Sequence, residues 1–330
     1  MAAAGTETLS PRSRRQPAPR RRVPLGRRFV KWIGPYLLIA PSIVLIVAVL
    51  AYPIYKLFRL SFQTYKLPQL IHESHHALGK APVSVGLANF RAVLKDHQFW
   101  TVLWRTVLFT AVNVGLTMIL GTFIAILLLR MSRIIRVSLS VVLVLVWATP
   151  QVVGITIWNW LFDQQFGVLN YTLTKLHIGN YIGHSWYTVS WQGFLVVTCV
   201  VVWGAIPFIA ITMQAALTQV PDELIEAARV DGATGLQTFR RITFPILRPI
   251  IVILTSLSII WDFQVFTQVY ILRDNRPEPW YYLMSIYSFI ESFKVHNFGL
   301  GAALSVITML IMFIVSIFYI RQIVKIGEAK

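Results

Sequence analysis

The chain has 330 residues, of which 56% are hydrophobic and 13% charged, and its mean hydropathy is +0.65. That balance excludes a water-soluble domain and makes the chain an integral membrane protein. The formal net charge of +17 does not call for nucleic acid, because most basic residues flank apolar runs, where anionic lipid is the natural counter-charge.

Residues 1–32 are rich in Pro and Arg and cannot build a core, so they read as a disordered basic cytoplasmic tail. An apolar run beginning near Gly34 follows without a clear small-residue cleavage site, and reads as a retained anchor. Further runs of about twenty residues, each long enough to cross a hydrocarbon core, begin near Val107, Val137, Gly193, Ile250 and Leu300. The expected fold is therefore all-α with six transmembrane helices in one domain, residues 33–326, closed by a short cytoplasmic end, 327–330. Pro41, Pro53, Pro150 and Pro207 lie in or near these spans, where neighbouring helices can satisfy the freed backbone groups. Arg105, at the start of the second span, is expected to snorkel to the interface. Trp32, Trp100, Trp186, Trp191 and Trp280 fall near span ends and are expected to anchor there.

Charge sets the orientation. Nineteen of the thirty basic residues lie in the N-terminal tail, between Arg130 and Arg136, in the stretch 218–248 and in the C-terminal tail. Lys and Arg accumulate in short cytoplasmic loops, so both termini should be cytoplasmic. Cys199 is the only cysteine, which excludes a disulfide framework or a cysteine metal site.

The polar stretch Thr218 to Arg248 lies between two spans. Pro221, Asp222 and Glu223 suit the first turn of a short helix, and Gly232, supported by Asp231, is placed to end it. Thr234 and Gln237 form a capping box for a second helix, which Pro245 should stop after Arg240 and Arg241. Two short helices on a membrane face are expected. In the following span Asp262 is an acid in apolar surroundings, at a cost of about 2.5–3.5 kcal/mol if it faced lipid, so it should face protein or water. Spacing by three and four places Trp261, Gln264 and Gln268 near one helical face, with Asp262 at its border. Rings suit the apolar face of a pyranose, and amides and carboxylates its hydroxyls, which makes these four residues candidates for a substrate pathway. Gln151 and Asn113 are further intramembrane amides, candidates for the same path or for interhelical hydrogen bonds, as is Gln214.

The run His72-Glu73-Ser74-His75-His76 satisfies HExxH, which on a helix can hold zinc with the glutamate as base. No third ligand presents itself by motif, so a membrane zinc protease is a remote alternative. A secondary transporter using Asp262 as an ion relay is another. No G-x-x-x-x-G-K-[ST] is present, so the chain cannot cradle ATP by itself.

Glu226-Ala227-Ala228, then Gly232, then Ile242-Thr243-Phe244-Pro245 resembles the EAA signature of binding-protein-dependent ABC importer permeases, with Phe244 where leucine is usual. Pro35-Tyr36 to Pro41, Tyr52-Pro53 to Ser61-Phe62, Gly86-Leu87 with Asn89-Phe90, and Asn297-Phe298-Gly299 with Ala302 to Ser305 are similar to carbohydrate-uptake permeases of the maltose and glycerol-phosphate type. Trp158, Trp160-Leu161-Phe162, Gly167 and Asn170 resemble the MalF-like half. The resemblance implies a type I permease fold at the bacterial plasma membrane and a transporter subunit that is not itself an enzyme. It implies coupling to the ATPase through Glu226, Ala227, Ala228, Asp231, Gly232 and Pro245. It also implies three kinds of partner: a second permease, an ATP-binding subunit dimer that carries ATP and Mg, and an extracytoplasmic sugar-binding protein. This chain would hold no cofactor of its own. The segment Leu272 to Pro279 departs from the Thr-Gly-Gly-Gly-Pro common in that family, so the sugar cannot be taken from it.

Overall fold

The structure is a computed structural model that describes residues 36, 38–74 and 79–328. The N-terminal tail, Trp32, His75, His76 and residues 329–330 lie outside the described residues. The chain divides into two compact units, Met1–Tyr55 and Lys56–Lys330. Within the first, the described residues are helical, with a π-turn at Val47–Ala51, and present an apolar surface with no buried residue. They belong to the first membrane-length helix, α1 (Leu38–Ser61).

The second unit carries four more membrane-length helices: α4 (His97–Arg130), α8 (Ser190–Leu217), α10 (Gly235–Phe263) and α13 (Phe298–Glu328). Between them lie α2 (Leu67–Ser74), α3 (Ala88–Lys95), α5 (Arg133–Ala148), α6 (Gln151–Leu161), α7 (Val168–Lys175), α9 (Asp222–Val230), α11 (Thr267–Leu272) and α12 (Met284–Phe289). A small hairpin pairs Gln63 with Ser84 and Thr64 with Val83.

The third expected span is not one helix. α5 and α6 meet at 97° across Thr149 and Pro150. A residue before proline is pushed out of the α region, and Thr149 is extended at ψ 128°. Pro150 in turn is a favourable start for α6, where its missing N–H has no helical partner to lose. The other expected spans hold, and Pro207 and Pro249 remain inside continuous helices.

α4 and α8 pack closely, and Gly121 shows why they can: a Cβ there would lie 2.7 Å from Ile209 Cγ2. In an apolar solvent helices associate through such close packing rather than through hydrophobic burial. One core cluster surrounds Ile209, Met213, Ala216, Leu247 and Leu254, next to residues 218–248. A larger one surrounds Phe99, Ile155, Phe263, Tyr281 and Leu283 at the other end of the helices.

Side chains of α4 fasten the segment 279–287. Arg105 does not snorkel: its Nη1 donates to the carbonyls of Pro279 and Tyr282, both at 3.0 Å. Thr106 Oγ1 accepts from Met284 N at 3.0 Å. Asp96 caps α4 through Gln98 N at 2.9 Å and accepts from Tyr287 Oη at 2.6 Å. Trp186 is not an interfacial anchor either. It is buried, donates to Asn170 Oδ1 at 2.6 Å, and packs against Phe162, Tyr181 and His184. Trp100, Trp191 and Trp280 are exposed.

Candidate functional site

The stretch 218–248 folds as its local signals dictate in its first half. α9 starts after Pro221 with Asp222 and Glu223 in its first turn, where their charge complements the helix dipole. It ends in a Schellman motif: Ala233 N donates to Ala228 O at 2.9 Å and Gly232 N to Arg229 O at 3.1 Å. Gly232 carries the left-handed φ of +76° that the motif requires. Ala228 is buried, whereas Glu226, Ala227 and Asp231 are exposed. Leu224, Val230 and Leu236 are exposed beside them, an apolar surface on this polar loop that the sequence reading did not single out.

The second half differs from expectation. Thr234 and Gln237 do form the capping box, with bonds of 2.8 and 3.4 Å, but Pro245 stops nothing. The chain passes through a π-turn at Phe239–Thr243, closed by Phe244 N to Phe239 O, and Pro245 then sits in the first turn of the following α segment. The wider turn shifts the bonding register, so that a proline N–H is not needed there. The second short helix is thus the first part of α10. A single helix runs from Gly235 to Phe263.

At its far end α10 borders a cavity of about 450 Å³. Trp261, Asp262, Gln264, Gln268 and Gln151 all line it. They do not meet by helical stacking, because α10 stops at Gln264 and the chain breaks through Phe266 before α11 begins. Asp262 lies in the last turn of the helix rather than mid-span, buried, with its Oδ2 lacking a hydrogen-bond partner among the described residues. Asn113 does not join the cavity; it is buried in α4, where its amide donates to Phe109 O in the same helix at 2.7 Å.

Four aromatic residues that the sequence reading did not place in the pathway complete the walls: Trp147, Trp203, Phe208 and Phe266. Phe208 packs edge-on to Trp261, with ring centroids 5.2 Å apart, and stacks on Trp147 at 6.3 Å. The Thr149–Pro150 break is what turns α5 and α6 around this space, and Gln151 and Gly154 of α6 line it. Pro150 inside an apolar run was the one available signal.

On the same side as α11, Arg273 pairs with Glu278, its Nε donating to Glu278 Oε2 at 3.0 Å. Its guanidinium lies 5.1 Å from the Tyr187 ring and 4.8 Å from the Tyr281 ring. The bond from Arg273 holds the Glu278 carboxyl below its usual range. This pairing fills the segment that departs from the familiar glycine-rich pattern. Elsewhere, Tyr65 Oη donates to Glu73, the residue that HExxH would need as base. Among the described residues no three of His, Cys, Asp and Glu gather as a metal site.

Residues 117–324 match the family described as "Binding-protein-dependent transport system inner membrane component". The chain belongs to this family. The permease is 39% identical over 293 residues to the diacetylchitobiose uptake system permease protein DasB of Streptomyces coelicolor, covering 89% of this chain and 87% of the relative. It is 27% identical over 286 residues to the trehalose/maltose transport system permease protein MalF of Thermococcus litoralis, covering 87% and 92%. The fold matches a bacterial ABC transporter for alginate import with a TM-score of 0.72 at 17% identity, over 89% of this chain and 96% of that one. The all-α permease fold expected from the sequence therefore holds, and the protein is a transporter component rather than an enzyme.

Proposed function

We propose that this permease lines half of the path by which an ABC importer carries a di- or oligosaccharide across the bacterial plasma membrane. Both termini would be cytoplasmic. The observation that carries the reading is the cavity at the end of α10, where rings of Trp261, Phe208, Trp147 and Trp203 surround an unpartnered carboxylate oxygen of Asp262 together with Gln151, Gln264 and Gln268. Apolar ring faces with a few convergent polar groups are what a pyranose requires of a site. The name of the relative DasB supports an N-acetylated amino-sugar disaccharide as the cargo.

Glu226, Ala227, Ala228, Asp231 and Gly232 would form the docking surface for an ATP-binding subunit, joined by exposed Leu224, Val230 and Leu236. Pro245 would act by letting the π-turn pass the loop into α10, so that displacement of α9 shifts the helix bearing Trp261 and Asp262. The remaining partners would be a second permease and an extracytoplasmic sugar-binding protein, with ATP and Mg held by the ATPase dimer.

Detergent-solubilised membranes provide the test, with this chain as bait and labelled diacetylchitobiose as the transport probe. The expected result is recovery of a second permease and an ATP-binding subunit, loss of the ATPase with Glu226→Lys, and uptake of the probe by wild-type cells. Recovery of the chain alone in both cases would overturn the assembly.

A further inference from the structure

Thr106, Thr110, Asn113 and Thr117 follow one another along α4 at spacings of four, three and four, so they form one row on that helix. All four are buried, at 4% exposure or less, and α4 packs against α8 and α10. Thr106 is fully used: it donates to Val102 O at 2.8 Å and accepts from Met284 N at 3.0 Å. The other three differ. Thr110 Oγ1, Asn113 Oδ1 and Thr117 Oγ1 have no hydrogen-bond partner among the described residues.

A hydroxyl in a helix has a local remedy, the carbonyl four residues back. Thr106, Thr156, Ser305, Thr308 and Ser316 all take it, at 2.8–3.0 Å. Thr110 and Thr117 forgo it although they are buried, where an unmet polar group is costly and a valine of the same shape would avoid the cost. A buried water needs two to four polar partners. From Thr110 to Thr117 the row extends about 10 Å along the helix axis, so no single water serves it.

α10 carries a matching row. Leu247 and Leu254 belong to the core cluster that includes Ala125 of α4. Ser258 and Asp262 continue their stripe one and two turns beyond Leu254; both are buried, and Asp262 Oδ2 is also without a partner. The two rows supply what the other lacks, since threonine O–H groups suit a carboxylate oxygen and the Ser258 O–H suits the Asn113 carbonyl.

We propose that α10 has a second position along α4, in which Ser258 and Asp262 hydrogen-bond with Thr110, Asn113 and Thr117, and that the permease passes between the two positions as it works. Packed helices move past one another by about 1–2 Å, or by as much as one turn, in such transitions. The groups left unmet in this structure lower the stability of the first position, which brings the two close in energy and lets a push at the Gly235 end select between them. This device needs no particular cargo.

The test uses the complete detergent-purified importer with its partner subunits, and follows thermal unfolding of this chain without nucleotide and after trapping with ATP, Mg and vanadate. Thr110→Val and Thr117→Val should each move the melting temperature in opposite directions in the two states, by about 2–4 °C, the scale of one buried polar group in a chain of this size. Thr117→Ser, which keeps the hydroxyl, should stay within about 1 °C of wild type in both. Ser258→Ala should lower the melting temperature in the state that the valine variants destabilise. A fall in both states for the valine variants would mean that the hydroxyls have a partner throughout, water included, and a rise in both that they are used in neither; each result, like unchanged melting in both states, would overturn the second position.

Discussion

At its Gly235 end, α10 is set up by hydrogen bonds between near neighbours in sequence: the capping box of Thr234 and Gln237, the Schellman bonds around Gly232, and the acidic first turn of α9. At its Phe263 end the last turn of α10 meets residues of α5, α6, α8, α11 and the break after α10, and they come together only through packing. The first region is polar, exposed and local, and the second is aromatic, partly buried and assembled at long range. One continuous helix joins them, so a push taken up at the Gly235 end would move the cavity wall at the other.

Breaking the local region should have the largest effect. Gly232→Pro forces φ near −65° where the chain needs +76° and removes the N–H that bonds Arg229 O, at a local cost of about 3 kcal/mol or more. Uptake should be abolished while the protein still inserts in the membrane, as measured by transport and by membrane yield of the tagged chain; normal uptake would disconnect this loop from transport.

A change in the long-range region should be smaller and more selective. Asp262→Asn keeps the shape of the side chain and removes its charge, and hydrogen bonds to a charged group are worth about 1.5–3 kcal/mol. Uptake of the sugar should fall by about tenfold or more, while the ATPase still co-purifies. An unchanged rate would exclude Asp262 from substrate contact and make it a structural group.

The smallest effect concerns the Arg273–Glu278 pair. Because Arg273 lowers the folded-state pKa of Glu278, the pair contributes stability that is present above the ordinary carboxylate pKa and is lost as pH falls through the depressed value. Partial exposure screens it, so the contribution is below about 1 kcal/mol. Thermal unfolding of detergent-purified protein should show a slightly smaller acid sensitivity for Glu278→Gln than for wild type; identical profiles would mean that the pair carries no net stability.

Legibility in the sequence followed the range of the forces. The ends of α9 were readable because capping and left-handed glycine positions are decided within a few residues. The halt assigned to Pro245 failed because a π-turn, invisible to a pattern of caps and prolines, moved the bonding register past it. Trp261, Asp262, Gln264 and Gln268 do line one cavity, but not by the expected stacking, since the helix that should have stacked them ends before Gln264. Gln151 reached the cavity only because Thr149 and Pro150 turn the chain by 97°, and Asn113, identical in chemistry, stayed within its own helix. Arg105 and Trp186 went from interfacial to structural roles because their partners, Pro279, Tyr282 and Asn170, approach only in the folded chain.

The sequence by itself determined that the chain is a membrane protein, where nearly all of its helices run, and where α9 begins and ends, because hydropathy, charge and capping act on contiguous residues. The tertiary structure decided which polar groups face the cavity, which rings wall it and how the loop connects to it. Those outcomes depend on a bend, a helix break and a shifted hydrogen-bond register, whose consequences appear only when distant segments pack together.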